Sequence, residues 1–403
     1  MQASSESLPA GFRLSGSTVG IKASGRPDLT IVLADRPCVA AGVYTTNRVA
    51  AAPVGWCRGL TPSPAIRAVV INSGNANAAT GPQGEADVRA TAEAAARLVG
   101  DSCRPDQILI ASTGIIGKTL PMDRILAGLP EAFRTVAGTP EALQHAAEAI
   151  MTTDTQPKTT RIGREVAPGR LVNLVGFAKG AAMIAPRMAT MLGLLMLDAP
   201  VDPKTLQLLL KEAVDDTFNC LTVEGHTSTN DTVFALSLGS PDAPLLEGKA
   251  VSVGLAGMIR DACDDLANQI ADDAEGATHR IFVEVAGCGD RGSAVAIARA
   301  ISESPLVKTA IHGHDPNWGR IVSAAGYAGV PFDPTDLTLT LNGFELYHAG
   351  VPASFDAQAV SQSMASARDV RIHLSLGDGP AAVTFRTCDL TAEYVRLNAD
   401  YTT

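Results

Sequence analysis

An α+β layered protein is predicted by three features of this 403-residue chain. Short apolar runs bounded by turn residues alternate with longer segments of helical period. The strands group as hairpins, and the regular strand–helix rhythm of a barrel or doubly wound sheet is missing. Composition agrees, since 46% hydrophobic and 18% charged residues with 37 Gly and 24 Pro describe a folded globular chain rather than a disordered, collagenous or coiled-coil one. At a typical domain size of about 150 residues, the length allows two or three domains and a core that needs no staples.

From the N-terminus, Thr30–Leu33, Ala41–Tyr44 and Ala68–Ile71 read as strands, the last running into the amide-rich turn Asn72–Asn77. Glu85–Val99 follows as an Ala-rich helix with Val88, Ala92, Ala95, Ala96 and Val99 on one face. The order strand, tight loop, helix recurs at Gln107–Ile110, Ala111–Gly117 and the helical segment from Pro121. Glu141–Ile150 is helical and Leu171–Phe177 alternates like a strand. Asp202 then Pro203 marks a helix start, and Leu206, Leu209, Leu210, Ala213 and Val214 give its buried stripe. Residues 251–270 form a further helix before the strand Ile281–Val285. Leu337–Leu341, Arg371–Leu376 and Ala382–Phe385 are strands of the last third, with a helix between Ser354 and Met364. No internal repeat or low-complexity linker interrupts the pattern.

Lys and Arg total 32 against 42 Asp and Glu, a net charge of -10. That balance disfavours nucleic acid, whose phosphates call for a basic footprint. Seven scattered cysteines without a C-x-x-C pair suit free thiols in a reducing compartment. The opening MQASSESLPAGF lacks the form of a secretory signal, and the most apolar stretch, Met188–Leu197, is about half a bilayer span. A cytoplasmic protein with no membrane partner is the expectation.

The residues taken singly point weakly to chemistry. Ser112–Thr119 resembles a phosphate loop but fails its glycine spacing, leaving a turn whose backbone N–H groups could hold an oxyanion. Glu275 sits in the acidic loop Asp272–Gly276, where a solvated side chain is the ordinary expectation. His312, His314 and Asp315 lack a third ligand at a recognisable metal spacing, so no metal is expected. Hydrolase elbow, zincin and dinucleotide motifs are missing. Lys179–Leu192 is the most unusual segment, yet nothing in it selects Thr190 on chemistry alone.

Several ordered motifs, taken together, resemble the glutamate N-acetyltransferase (ornithine acetyltransferase) family over nearly the whole chain. They are Asn72–Gly81, Ser112–Gly117, Met151–Thr155, Lys179–Leu192, Thr227–Thr232, Asp315–Arg320 and Asn398–Thr403. The resemblance implies an N-terminal-nucleophile-like layered fold with a smaller C-terminal domain, made as a precursor that cuts itself between Ala189 and Thr190. The products would be residues 1–189 and 190–403, assembled further as α2β2. Thr190 would then be the nucleophile, because its new α-amine, with a pKa near 8, can take the hydroxyl proton at neutral pH.

By the same resemblance, Thr190 accepts acetyl from N2-acetyl-L-ornithine and passes it to L-glutamate. Thr113 and Gly114 match the oxyanion hole, and Thr153, Lys179, Glu275, Asn398 and Thr403 match substrate contacts. No cofactor is implied, and acetyl-CoA stays open as a second donor. Related self-cleaving amidohydrolases or aminopeptidases, and acetyl transfer in a specialised product pathway, are the alternatives. The chain departs from the family pattern at Cys220, His226, Ala274 and His279, and changes around Glu275 could alter the substrate.

Overall fold

The computed structural model describes residues 8–183, 191–240, 243–246 and 248–400. Two sheets organise them. The first contains β1 (Phe12–Ser17), β2 (Leu29–Tyr44), β3 (Ser63–Asn75), β4 (Ile108–Ile115), β5 (Lys158–Ala167), β6 (Arg170–Lys179), β7 (Leu192–Leu197) and β8 (Thr232–Ser237). Its order is β4-β3-β2-β8-β7-β6-β5, with β1 paired to β2.

Helices cover both faces of this sheet. On one side lies α4 (Pro140–Ala149); on the other lie α2 (Gly81–Val99) and α3 (Met122–Arg134) over β3, with α5 (Pro203–Asp216) and α6 (Lys249–Asp272) over β7, while α1 (Ala52–Arg58) packs against β4 and α2. Strand alternation divides the side chains between cores. In β3, Ala68 and Val70 pack with the α2 and α3 residues Val88 and Leu129, whereas Val69 and Ile71 join Leu143 and Ala146 of α4. In β7, Leu192, Leu194 and Met196 share the α4 core, while Leu195 and Leu197 meet Leu210 of α5 and Ile259 of α6. Asp202 starts α5 by accepting hydrogen bonds from the Lys204 and Thr205 N–H groups, both 3.0 Å, with Pro203 in the first turn.

The second sheet has the order β12-β11-β10-β13-β9-β14. Its strands are β9 (Arg280–Gly287), β10 (Leu337–Leu341), β11 (Phe344–His348), β12 (Val351–Pro352), β13 (Asp369–Leu376) and β14 (Gly379–Cys388). It packs with α7 (Arg291–Glu303), α8 (Pro305–His312), α9 (Trp318–Gly326) and α10 (Ala357–Ala365), burying Ile297, Ile311, Ile321 and Met364 against Val283 and Ile372. The sheets are tied by Arg386 Nε donating to Asn268 Oδ1 (2.8 Å), the Thr222 N–H to Arg386 O (2.9 Å), and Lys308 Nζ to Val223 O (2.7 Å). The last helix, α11 (Ala392–Asp400), buries none of its residues.

The expected α+β layered class is therefore the class found, with three revisions. The runs at Thr30–Leu33 and Ala41–Tyr44 are two ends of the single strand β2, whose register shifts between Leu33 and Ala40. Asn72–Asn77 and Ala111–Gly117 are largely strand rather than loop. Here β3 continues to Asn75 and β4 to Ile115, because the two pair with each other in parallel and satisfy backbone that turn residues would otherwise leave to solvent. Parallel pairs spanning a helix also occur locally, as β3–α2–β4 and β7–α5–β8.

All seven cysteines are free thiols, six of them buried. Among the described residues no helix is long and apolar enough to cross a membrane.

Candidate active site

The paired ends of β3 and β4 form one wall of a cleft. Ser73 lies opposite Thr113 and Gly74 opposite Gly114. Gly114 has φ +129°, and a Cβ there would stand 2.4 Å from the Gly74 carbonyl carbon and 2.5 Å from Asn75 N, so this approach requires glycine. Side chains then take over where the ladder ends. Ser112 Oγ donates to Asn72 Oδ1 (2.6 Å) and Asn72 Nδ2 to Asn75 O (2.8 Å), while Asn230 Nδ2 donates to both Ala76 O (2.6 Å) and Ser112 O (2.8 Å). These bonds fix the backbone that carries Thr113 and Gly114.

The opposite wall is assembled from distant segments. Lys179 ends β6, Thr153 follows α4, Glu275 follows α6 and Asn398 belongs to α11. With Thr113 and Gly114 they line one cleft, which Ser228, Thr229 and Asn230 complete. The Glu275 N–H donates to Ala181 O (3.0 Å), and Glu275 Oε2 accepts from Asn398 Nδ2 (3.1 Å). Thus six of the residues singled out by the sequence converge. Ala189, Thr190 and Thr403 lie outside the described residues. The described chain stops at Met183, which lines the cleft, and resumes at Met191, whose N–H donates to Asp231 Oδ1 (3.1 Å).

A buried charge network stands behind the cleft. Lys158 Nζ donates to Asp154 Oδ1 (2.8 Å) and Asp273 Oδ2 (2.6 Å), and Asp154 Oδ1 also accepts from the Gly180 N–H (2.6 Å). Burial alone would raise the Asp154 carboxyl, but the Lys179 and Lys158 charges outweigh it and hold the group at about 2. Burial pulls the Lys179 ammonium below its ordinary value against the opposing pull of Asp154, Asp231 and Glu275. Lys179 is therefore a desolvated amine in the field of three carboxylates, placed where it can meet an anionic group.

Sequence reasoning marked Met151–Thr155 and Thr227–Thr232 as motifs without giving Asp154, Asn230 or Asp231 a role. The Asp154–Lys158 spacing is the one local signal, while Asp273 is a partner only in three dimensions. Neither Ala274 nor His279 lines the cleft. Ala274 is in the α5–α6 core, and the His279 N–H donates to Asp389 Oδ1 (2.9 Å) on the far side of the loop. His226 lines a separate pocket with Glu224 and Lys308, and Cys220 is buried in the second core. His312 sits with His279 around Asp389, its Nδ1 3.0 Å from Asp389 Oδ2.

A layered α+β fold whose cleft joins hydroxyls, close-packed glycine backbone, a buried ammonium and a carboxylate belongs to an enzyme of the acyltransferase class. Residues 13–403 match the model of the ArgJ family, and the chain belongs to that family. The arginine biosynthesis bifunctional protein ArgJ of Rhodopirellula baltica is 43% identical over 399 residues, covering 98% of this chain and 96% of that protein. Its counterpart in Thermosynechococcus vestitus is 44% identical over 410 residues, with the same coverages of 98% and 96%. Among solved structures, ornithine acetyltransferase of Mycobacterium tuberculosis complexed with ornithine is 40% identical at a TM-score of 0.41, covering 46% of this chain and 96% of that chain. The Bacillus halodurans argJ structure is 36% identical at a TM-score of 0.48, covering 51% and 96%.

Proposed function

We propose that this protein transfers acetyl from N2-acetyl-L-ornithine to L-glutamate through a threonine acetyl-enzyme, releasing L-ornithine and then N-acetyl-L-glutamate. The chain cuts itself between Ala189 and Thr190, giving residues 1–189 and 190–403, and two such pairs assemble as α2β2 in the cytoplasm. One observation carries the reading. Thr113, Gly114, Thr153, Lys179, Glu275 and Asn398, far apart in sequence, line a single cleft that Met183 also borders.

The chemistry follows from those positions. The Thr190 hydroxyl proton passes to its own α-amine as the oxygen attacks the acetyl carbonyl. The Thr113 hydroxyl and the backbone N–H of Gly114 stabilise the oxyanion that develops, and both belong to backbone locked before substrate arrives. Lys179 holds the substrate α-carboxylate and Glu275 the side-chain amine, with Asn398 orienting Glu275. Thr153 and Thr403 complete the substrate contacts. Ornithine departs with the returned proton, and glutamate's amine then attacks the ester by the same steps in reverse.

The test is intact mass under denaturing conditions, before and after incubation with N-acetylornithine without glutamate. Two chains, with the one beginning at Thr190 gaining one acetyl group that glutamate removes, is the expected result. Loss of the acetyl group to water at an equal rate without glutamate would establish an amidohydrolase instead. A single chain with no adduct would end the proposal.

A further inference from the structure

Three of the residues proposed to hold substrate reach the cleft from separate segments, and one buried ammonium stands behind all three. Thr153 lies between α4 and β5, Lys179 at the end of β6 and Glu275 on the loop after α6. Lys158, the first residue of β5, is 1% exposed and lines no part of the cleft. Each N–H of its ammonium has an acceptor: Asp154 Oδ1 at 2.8 Å, Asp273 Oδ2 at 2.6 Å and Gln156 O at 3.3 Å.

The two carboxylates carry this order outward. Asp154 adjoins Thr153 and accepts the Thr152 N–H at 3.0 Å, and it also takes the N–H of Gly180, which adjoins Lys179, at 2.6 Å. Asp273 stands two residues before Glu275 and accepts the Thr155 N–H at 3.0 Å, with the Thr155 hydroxyl on its other oxygen.

Packing does not call for this arrangement. A buried ion cluster has a desolvation cost that apolar side chains of similar size avoid, so its charges are a weak explanation of stability. The start of β5 is also fastened to α6 without them, since Gln269 Nε2 donates to Thr159 O (2.9 Å) and the Thr159 N–H to Gln269 Oε1 (3.1 Å). What the cluster adds is a common origin for three contact residues. Lys158 also engages the carboxylate that would otherwise draw the Lys179 charge away from a ligand.

We infer that Lys158 is a positioning residue: by holding Asp154 and Asp273 on one ammonium, it keeps Lys179 and Glu275 in register for the α-carboxylate and side-chain amine of a single amino-acid substrate. The inference rests on the roles given to Lys179 and Glu275 above.

Lys158→Met nearly keeps the length of the side chain and removes the ammonium. The readout is kcat/KM of purified, self-cut enzyme for three acetyl donors: N2-acetylornithine, its α-carboxamide, which offers Lys179 no carboxylate, and N2-acetylnorvaline, which offers Glu275 no amine. The wild type should discriminate against both analogues. In Lys158→Met the value for N2-acetylornithine should fall about 100-fold and those for the analogues about tenfold or less, so that the discrimination narrows. An equal fall for all three, as a general packing defect would give, or no fall at all, would overturn the inference, and so would a folded variant that stays uncut.

Should Lys158→Met not fold, Asp273→Asn, which keeps an acceptor for the Thr155 N–H, is read in the same way. Discrimination against N2-acetylnorvaline should narrow, while that against the carboxamide stays, because Asp154 still joins Lys158 to Gly180. Unchanged discrimination, or failure of this variant to fold as well, would make the cluster part of the scaffold and overturn the inference. A wild type that treats the three donors alike would instead reject the contacts assigned to Lys179 and Glu275, a separate failure.

Discussion

Gly114 shows how a single missing side chain can set chemistry. Its backbone stands against Gly74 at a distance no Cβ tolerates, in a left-handed φ that disfavours other residues. Gly114→Ala should therefore displace the proposed oxyanion wall, and in protein that still folds and cuts, kcat should fall about 100-fold or more with a smaller change in KM. Asp154 makes a prediction about pH. Its folded value of about 2 lies below the ordinary unfolded value of about 3.9, so the stability it contributes is present above about pH 4 and lost as pH falls toward about 2. Urea unfolding of Asp154→Asn at pH 7 should show a loss of about 3 kcal/mol, at the low end for a broken buried ion pair because Asp273 still faces Lys158. At this scale the residues proposed to react and to contact substrate were legible only through a pattern of motifs. The supporting residues Asp231 and Asp273 had no local signature, since their partners Met191 and Lys158 lie 40 and 115 positions away.

Among the elements, the amphipathic ones were readable. The stripe in α5 and its Asp202–Pro203 start appear as expected, and Asp202→Ala should cost about 1 kcal/mol in thermal or urea unfolding through the two lost cap bonds. Strand β7 was not recognised because every side chain in it is buried, so no polar alternation marks it. The paired ends of β3 and β4 were misread for the opposite reason, as their small and amide residues look like turns until the partner strand is present. Helix α11 combines no buried residues with a contact to the site, Asn398 to Glu275. Deleting residues 392–403 should consequently leave the melting temperature nearly unchanged while reducing kcat/KM about tenfold or more. Equal loss of both would mean that the tail serves the fold.

Across the whole molecule, two sheets with separate cores meet behind one cleft, and the first sheet draws strands from both sides of the proposed cut. β1–β6 precede residue 190, while β7 and β8 follow it and lie between β6 and β2. Gel filtration without denaturant should give one species containing both chains, which separate only when the sheet unfolds. The layered class could be read from composition and pattern, but this interleaving could not, because the order of strands depends on contacts far apart in the chain. The position of β7 and β8 has a genetic consequence. With the proposed cut, each half is locked into the copy that made it, so two precursors, one faulty before residue 190 and the other after it, cannot trade halves. Expressed together in one cell, they should fail to restore each other's activity.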